Sequence, residues 1–283
     1  MTQIPSMMDM LKSGMHFGHQ KSRWHPKMKP YIFGVRNGVH ILDLDRTVEQ
    51  LQKALEYVKG LAATGKVVLF VGTKRQAQPL VKVAAESCGM PFLTERWIGG
   101  LLTNFDETKR RIKKYKDLKQ QIASGEIEKY TKKEQLNIVK SVAKMDRYLF
   151  GLNNFEKMPD AMFVIDMRVC KTAVNEALRT NVPIIGVCDS NVNPDQAEFV
   201  IPANDDAVNS IKTISNLIAE AINEGKADWE KNKAVMEKEN KKVEVKHVAF
   251  EEKNSAGKSS LVKATAAKTV KKERRAMTKE SSI

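Results

Sequence analysis

The stretch Val67-Val-Leu-Phe-Val71, followed by Gly72-Thr73-Lys74, decides the fold of this chain. Five consecutive apolar residues are typical of a strand that is buried on both faces of a sheet. A helical stretch follows and ends near Cys88-Gly89, so the segment reads strand, turn, helix. The strands at 161–165 and 183–187 begin further units of the same kind. This alternation predicts an α/β domain whose parallel sheet is covered by helices on both faces.

The N-terminal region adds smaller elements to this domain. Asn37-Gly38 lies between two β-prone runs, and both residues tolerate the positive φ of a type I′ turn, so a β-hairpin is predicted. Residues 7–12 are predicted to form a short helix. Residues 16–30 show no regular apolar period, and we predict an ordered loop there.

The segment 103–157 interrupts the alternation of strands and helices. It reads as two helices that break at Ser124-Gly125, and the spacing from Thr131 to Glu134 is that of a capping box for the second helix. Both apolar stripes are narrow and the remaining positions are charged, which is typical of an antiparallel coiled-coil hairpin. The predicted organisation is therefore an α/β globular domain (1–102 and 158–225), an inserted hairpin (103–157) and a basic, largely disordered tail (226–283).

Charge is distributed unevenly along these segments. The chain carries 48 Lys and Arg residues against 34 Asp and Glu residues, a formal net charge of +14. Such an excess favours a polyanionic partner. The block 158–225 is the exception, because its net charge is −6. We expect this block to meet protein or solvent rather than RNA.

Several classes of protein are excluded by what the sequence lacks. No apolar run approaches the roughly 20 residues that span a bilayer, and the N-terminus does not resemble a signal peptide, so we expect a cytoplasmic protein. Cys88, Cys170 and Cys188 are far apart and form no Cys-x-x-Cys pair, which argues against a disulfide framework or a zinc ribbon. We expect neither a cofactor nor a resident metal.

The N-terminal loop mixes basic and aromatic side chains, as RNA-binding surfaces do. His16 and His19 could instead join Asp43 or Asp45 in a metal site, although this spacing matches no common zinc motif. Core packing of Phe17 and Trp24 is a further alternative. The RNA-binding candidates in this region are His16, Phe17, His19, Gln20, Arg23, Trp24, Lys27, Lys29, Tyr31 and Arg36.

Three later segments supply further candidates for RNA contact. Lys74 and Arg75 follow a predicted strand and open a helix, where α/β sheets bind anions. The loop from Arg96 to Phe105 contains two glycines that allow close backbone approach, although Trp97 could equally lie in the core. A run of cations occupies the first hairpin helix. The candidates here are Lys74, Arg75, Arg96, Trp97, Gly99, Gly100, Asn104, Lys109, Arg110, Arg111, Lys113 and Lys114.

The competing function is a Rossmann-like enzyme that binds a nucleotide or a phosphosugar. Gly60 to Lys66 has the spacing of a P-loop, but it follows a helix and Val67 stands where Ser or Thr belongs. Asp166 and Asp189 end strands and could chelate magnesium, although helix capping is the commoner role. We find no credible nucleophile and base pair, and we therefore assign no catalytic residues.

Four segments identify the family that this chain resembles, the second protein of the bacterial small ribosomal subunit (ribosomal protein S-two). Their order along the chain matches over about residues 5–225, and Ser190 departs from the threonine usual in that family. The segments are Gly14-Met-His-Phe-Gly-His-Gln20 with Trp24-His-Pro-Lys-Met-Lys-Pro-Tyr-Ile32, Leu69-Phe-Val-Gly-Thr-Lys-Arg-Gln-Ala77, Arg96-Trp-Ile-Gly-Gly-Leu-Leu-Thr-Asn-Phe105, and Ile201-Pro-Ala-Asn-Asp-Asp-Ala207.

The resemblance implies a fold, a role and a set of partners. It implies a flavodoxin-like three-layer domain with a coiled-coil insertion. It implies a structural protein of the 30S subunit that acts in translation and binds 16S ribosomal RNA between head and body. Other small-subunit proteins are further implied partners, and this chain would help to recruit the first protein of that subunit. Neither DNA nor a membrane is expected as a partner.

Overall fold

The protein is described from a computed structural model that covers residues 4–153 and 155–231. Its helices are α1 (Met7–Lys12), α2 (Leu44–Ala63), α3 (Gln78–Cys88), α4 (Phe105–Ala123), α5 (Lys132–Leu149), α6 (Lys171–Arg179) and α7 (208–231). Its strands are β1 (Phe17–Gln20), β2 (Ile32–Arg36), β3 (Val39–Leu42), β4 (Val68–Val71), β5 (Phe92–Leu93), β6 (Ala161–Ile165), β7 (Ile184–Cys188) and β8 (Phe199–Pro202). Short 3-10 turns lie at Lys21–Arg23, Pro26–Tyr31, Glu126–Lys129, Phe150–Leu152 and Pro194–Gln196.

The main sheet has five parallel strands in the order β5-β4-β6-β7-β8. Numbered along the chain this order is 2-1-3-4-5, which defines the flavodoxin-like doubly wound arrangement. Its topological switch point lies between β4 and β6, where the order of the strands in the sheet changes direction. The predicted α/β class and flavodoxin-like topology are confirmed.

Both faces of this sheet are buried, as the apolar strands predicted. In β4, Val68 and Phe70 belong to one core with side chains of α2, α3 and α7. The alternate residues Leu69 and Val71 belong to a second core with side chains of α6 and the base of the hairpin. Because successive side chains of a strand point to opposite faces, the two cores are the two sides of a three-layer domain.

A second, antiparallel sheet lies at the N-terminus in the order β1-β3-β2. Asn37 and Gly38 have φ of 52° and 78°, as the predicted hairpin turn requires. The prediction of a loop throughout residues 16–30 is wrong for Phe17–Gln20, which pairs with β3. The register of this pairing is irregular, and none of the residues of β1 is buried. Because no side chain of β1 faces a core, its sequence lacks the apolar alternation that would predict a strand.

The predicted interruption contains two helices, α4 and α5, as expected. The carboxylate of Glu134 accepts the backbone N–H of Thr131 at 3.0 Å, which confirms the capping box. Tyr115 of α4 donates its hydroxyl to Asp146 of α5, so the two helices are in contact. Coiled-coil geometry and the boundaries of the hairpin stay predictions.

The predicted C-terminal boundary at residues 225–226 lies within helix α7. The described residues up to Trp229 belong to one compact unit. Helix α7 continues through residue 231, whereas the sequence predicted loss of order from residue 226. The rest of the predicted tail lies outside the described residues. In the described part of the chain, every helix is too short or too polar to cross a bilayer.

Candidate functional site

A cluster of ionised side chains fills the carboxyl edge of the parallel sheet. Lys74 follows β4, Asp166 follows the adjacent β6 and Asp205 follows β8, so all three lie in loops at the carboxyl edge of the sheet. The Lys74 ammonium lies 3.3 Å from Asp166 Oδ2, 2.8 Å from Asp205 Oδ1 and 2.7 Å from Asp206 Oδ1. A phosphate-binding site would need N–H groups and cations here, whereas three carboxylates surround the one lysine.

Burial and charge compete at this cluster. Burial alone would lower the pKa of Lys74, but the hydrogen bonds and charges of its carboxylate partners raise it above its usual value. Burial, together with the charges of Asp166 and Asp189, raises the pKa of Asp205 to about 7 despite the contact with Lys74. Lys74 therefore serves as the internal counterion of a crowded acidic group and is only 14% exposed.

His19 extends the same cluster from the N-terminal sheet. Its Nδ1 lies 2.8 Å from Asp189 Oδ2, and its Nε2 lies 3.5 Å from Asp206 Oδ2. The hydrogen bond to Asp189 raises the pKa of His19, and burial opposes this effect only in part. The imidazole thus joins β1 to the loop that follows β7.

The close approach of β1 to this loop depends on Gly18. A Cβ at Gly18 would lie 2.9 Å from Ser190 Oγ and 3.1 Å from both Asp189 Oδ1 and the carbonyl oxygen of His40. The hydroxyl of Ser190 accepts the backbone N–H of His19 at 2.8 Å. The departure from threonine at Ser190 therefore retains the hydroxyl that this contact uses.

These side chains also have the donor set of a metal site. His19, Asp189, Asp205 and Asp206 each offer a ligand atom, and the four atoms lie within 4.8 Å of one another. Imidazole and carboxylate donors suit zinc and similar divalent ions. A divalent ion would compete with Lys74 for Asp205 and Asp206. The sequence analysis instead grouped His19 with His16 and with Asp43 or Asp45. Among the described residues, no side-chain hydrogen bond or salt bridge joins any of those three to His19.

One buried carboxylate organises the loop between β5 and α4. Glu176 of α6 accepts the indole N–H of Trp97 at 3.0 Å and the backbone N–H groups of Gly100 and Leu102 at 2.8 and 3.1 Å. Thr103 donates its backbone N–H and its hydroxyl to the same carboxylate, both at 3.4 Å. Burial alone would raise the pKa of Glu176, but these donors lower it below its usual value. The loop is thereby held against α6.

Exposed cations lie in the N-terminal segment and in α4. In the N-terminal segment, Arg23, Lys29 and Arg36 are exposed, while Lys27 pairs with Asp195. In α4, Arg110 and Arg111 share Glu107 at 3.8 and 3.4 Å. Within residues 4–153 and 155–231, no salt bridge involves the exposed cations Lys109, Lys113 and Lys114 of the same helix or Arg23, Lys29 and Arg36.

The structure places most of the predicted RNA-binding residues at the surface. Phe17 and Trp24 are 49% and 36% exposed, so neither ring is a core residue. Trp97 is buried on Glu176, which is the alternative that the sequence left open, and Lys74 is enclosed by carboxylates. Half-buried positions are His16, His19, Tyr31 and Gly100; exposed positions are Phe17, Gln20, Arg23, Trp24, Lys27, Lys29, Arg36, Arg75, Arg96, Gly99, Asn104, Lys109, Arg110, Arg111, Lys113 and Lys114.

Sequence reasoning missed two buried polar residues near these segments. Glu176 lies in the middle of α6, where a lone glutamate in an amphipathic helix is usually a surface residue. His40 lies on β3 with both ring nitrogens buried and without a hydrogen-bond partner, and burial lowers its pKa. The donors to Glu176 all belong to the 97–103 loop, which is distant in sequence, so no local pattern marks this residue.

The fold and the exposed cations define an α/β protein with a basic surface, whose sheet edge is occupied by its own ion pairs. The family model described as Ribosomal protein S2 matches residues 10–225. A protein from Coprothermobacter proteolyticus named "Small ribosomal subunit protein uS2" is 42% identical over 248 residues, which cover 88% of this chain and 91% of that protein. The chain belongs to the ribosomal protein S2 family. It is a structural constituent of the small ribosomal subunit, acts in translation and is not an enzyme.

Proposed function

We propose that this chain binds 16S ribosomal RNA, between head and body of the 30S subunit, through one face of its α/β domain. We define this RNA face as the N-terminal loop (16–31), the loop 96–104 and the first turns of α4. Met28, Trp97 and Ile112, one from each segment, share a single apolar core on one side of the sheet. Three segments that are distant in sequence thus present their exposed residues from a common base, and this observation carries the proposal.

The chemistry of the RNA face suits a folded RNA backbone. Its exposed Arg and Lys side chains can neutralise phosphates, and the exposed rings of Phe17 and Trp24 can stack on bases or sugars. Gly99 leaves open space where a side chain would stand, so a phosphate backbone can approach the loop closely. Lys74 and Trp97 contribute without contacting RNA. Lys74 neutralises part of the acidic cluster, and Trp97 holds the 96–104 loop against Glu176.

A second part of the proposal concerns the acidic edge of the sheet. Asp206 is 53% exposed beside the buried Asp205 and Asp189, so this edge presents negative charge. RNA would be repelled there, whereas a basic protein segment would be attracted. We infer that this edge faces other proteins of the cytoplasmic ribosome and helps to recruit the first protein of the small subunit, as the resemblance implies.

The test of RNA binding compares two double variants of the full chain. Lys113→Ala with Lys114→Ala removes two cations from α4, while Arg46→Ala with Lys53→Ala removes two exposed cations from α2 on the opposite side of the sheet. Affinity for 16S RNA is measured over a range of salt concentrations. The α4 pair should reduce the slope of log K against log salt by about 2, because each lost phosphate contact changes it by roughly 1.

The α2 pair should leave the slope at its original value. Equal changes in the two variants would indicate non-specific attraction by total charge and would contradict the proposed RNA face. For the acidic edge, the readout is whether residues 158–225 cross-link to protein or to RNA in intact subunits. Cross-links to RNA alone would overturn that part of the proposal.

A further inference from the structure

A pocket opens where the hairpin returns to the sheet, outside the RNA face defined above. Its volume is about 280 Å³, and it lies between α3, the end of β5 and the end of α5. We propose that it receives one unpaired RNA nucleotide, whose base stacks on Phe150 and whose phosphate meets Lys82 and Arg147. The inference rests on the proposed function, since it supposes that the chain is seated on RNA. Lys82, Thr94, Glu95, Arg147 and Phe150 line the pocket, as does Asp146, which is paired with Lys119.

The ring of Phe150 is both exposed and held in place. Its exposed fraction is 41%, whereas Phe70, Phe155 and Phe163 are at most 2% exposed. Its neighbour Gly151 packs so closely on β5 that a Cβ there would lie 2.2 Å from the carbonyl oxygen of Phe92. The ring also contacts that of Phe92 edge-on, with centroids 6.3 Å apart. A fixed aromatic surface costs little conformational entropy when a base stacks on it.

Two ammonium groups lie near this ring and differ in how firmly they are bound. Lys119 Nζ is 5.7 Å from the ring centroid and also binds Asp146 and the hydroxyl of Tyr115, each at 3.1 Å. Lys82 Nζ is 5.1 Å from the centroid, and its nearest carboxylate is Glu86 at 4.0 Å. Lys82 can therefore turn from the ring to a phosphate, which uncovers the aromatic face on the pocket side.

The remaining lining suits a nucleotide better than a peptide. Thr94 and Glu95 offer a hydroxyl and a carboxylate, and a carboxylate accepts hydrogen bonds from the exocyclic amine of a base. Arg147 adds a second cation beside Lys82 for the phosphate. A nucleotide combines a planar base, an exocyclic amine and an anionic phosphate. These three groups match the ring of Phe150, the carboxylate of Glu95 and the two cations. An aromatic side chain of a neighbouring protein would use only the ring.

The experiment uses full-length chains assembled into 30S subunits. Phe150→Leu keeps an apolar side chain but removes the aromatic face, and Phe150→Trp restores it. Chemical probing of the RNA, nucleotide by nucleotide, should show one unpaired position that gains reactivity in the leucine variant and is protected again in the tryptophan variant. Affinity for 16S RNA should fall roughly tenfold with leucine. Thermal unfolding of each variant shows that the fold is intact.

A photo-crosslinker identifies the occupant directly. With p-benzoylphenylalanine in place of Phe150, a cross-link to that same nucleotide is the expected result. A cross-link to protein, or unchanged reactivity and affinity in folded Phe150→Leu, would overturn the inference. Failure of the unmodified chain to bind 16S RNA would instead contradict the proposed function, so the two failures are distinguishable.

Discussion

The carboxylate of Glu176 accepts the indole N–H of Trp97 at 3.0 Å, and both residues are buried. The same carboxylate also binds three backbone N–H groups of the loop that Trp97 begins. A loop with two glycines would otherwise sample many conformations. This one relationship therefore restrains the loop that carries Arg96 and Asn104, which we propose contacts RNA.

We predict that Glu176→Gln weakens RNA binding through this loop. The amide presents an N–H group to donors that need an acceptor, at a cost of about 1–3 kcal/mol of stability. In a double-mutant cycle, Arg96→Ala should lower affinity for 16S RNA in the native chain and have little further effect in the Glu176→Gln chain. Glu176→Asp, which retains the charge, should recover part of the coupling. Additive effects would show that Glu176 acts only on stability.

Lys74, the counterion of the acidic cluster, should contribute strongly to the stability of the chain. Lys74→Met should destabilise the chain by about 3–5 kcal/mol, because it leaves Asp205 and Asp166 buried without their cation. Arg75→Met, which alters the neighbouring exposed cation, is the control and should change stability by less than about 0.5 kcal/mol. Chemical denaturation measures both. Similar values for the two variants would mean that the cluster does not depend on Lys74.

His19 should make stability depend on pH. Its pKa is raised in the folded state, so the contribution is fully present below the unfolded value of about 6.5 and is lost as pH rises through the folded value. His19→Gln should remove this loss. Burial raises the pKa of Asp205 to about 7 in the folded chain, so stability should also fall as pH rises from roughly 4 to 7. The His19→Gln chain should retain this second fall. Superimposable profiles of the native and His19→Gln chains above pH 6.5 would contradict the assignment.

Two glycines should respond to alanine with opposite signs. Gly60 lies within α2 with open space around its Cα, so Gly60→Ala should stabilise the chain by about 0.5–1 kcal/mol. Gly151→Ala would force a methyl group onto the carbonyl oxygen of Phe92 and should be strongly destabilising. Comparison of the two melting temperatures tests the close approach that positions Phe150. A stabilised Gly151→Ala chain would show that the hairpin base lies further from β5.

The sequence was sufficient for the elements whose signal is local. The apolar run before Gly72 predicted β4, and Asn37-Gly38 predicted the hairpin turn with its positive φ values. The capping box at Thr131 gave the start of α5 within one residue. In each example the residues that carry the signal are those that form the contacts.

Features that depend on distant contacts could not be predicted in this way. Strand β1 exists because β3 supplies its partner, and its own residues show no alternation. The environment of Lys74 arises because the chain order of the sheet brings three strand ends together, which turns an apparent phosphate site into an acidic one. Glu176 gains its role only when the 97–103 loop folds onto α6.

We propose that the N-terminal loop (16–31), the loop 96–104 and the first turns of α4 form the RNA face of this chain. The most direct measurement is ultraviolet cross-linking within intact 30S subunits, followed by mass spectrometry of the peptides attached to RNA. We expect the attached peptides to come mainly from residues 16–31 and 96–116. Cross-links concentrated in residues 158–225 or in α2 would contradict it.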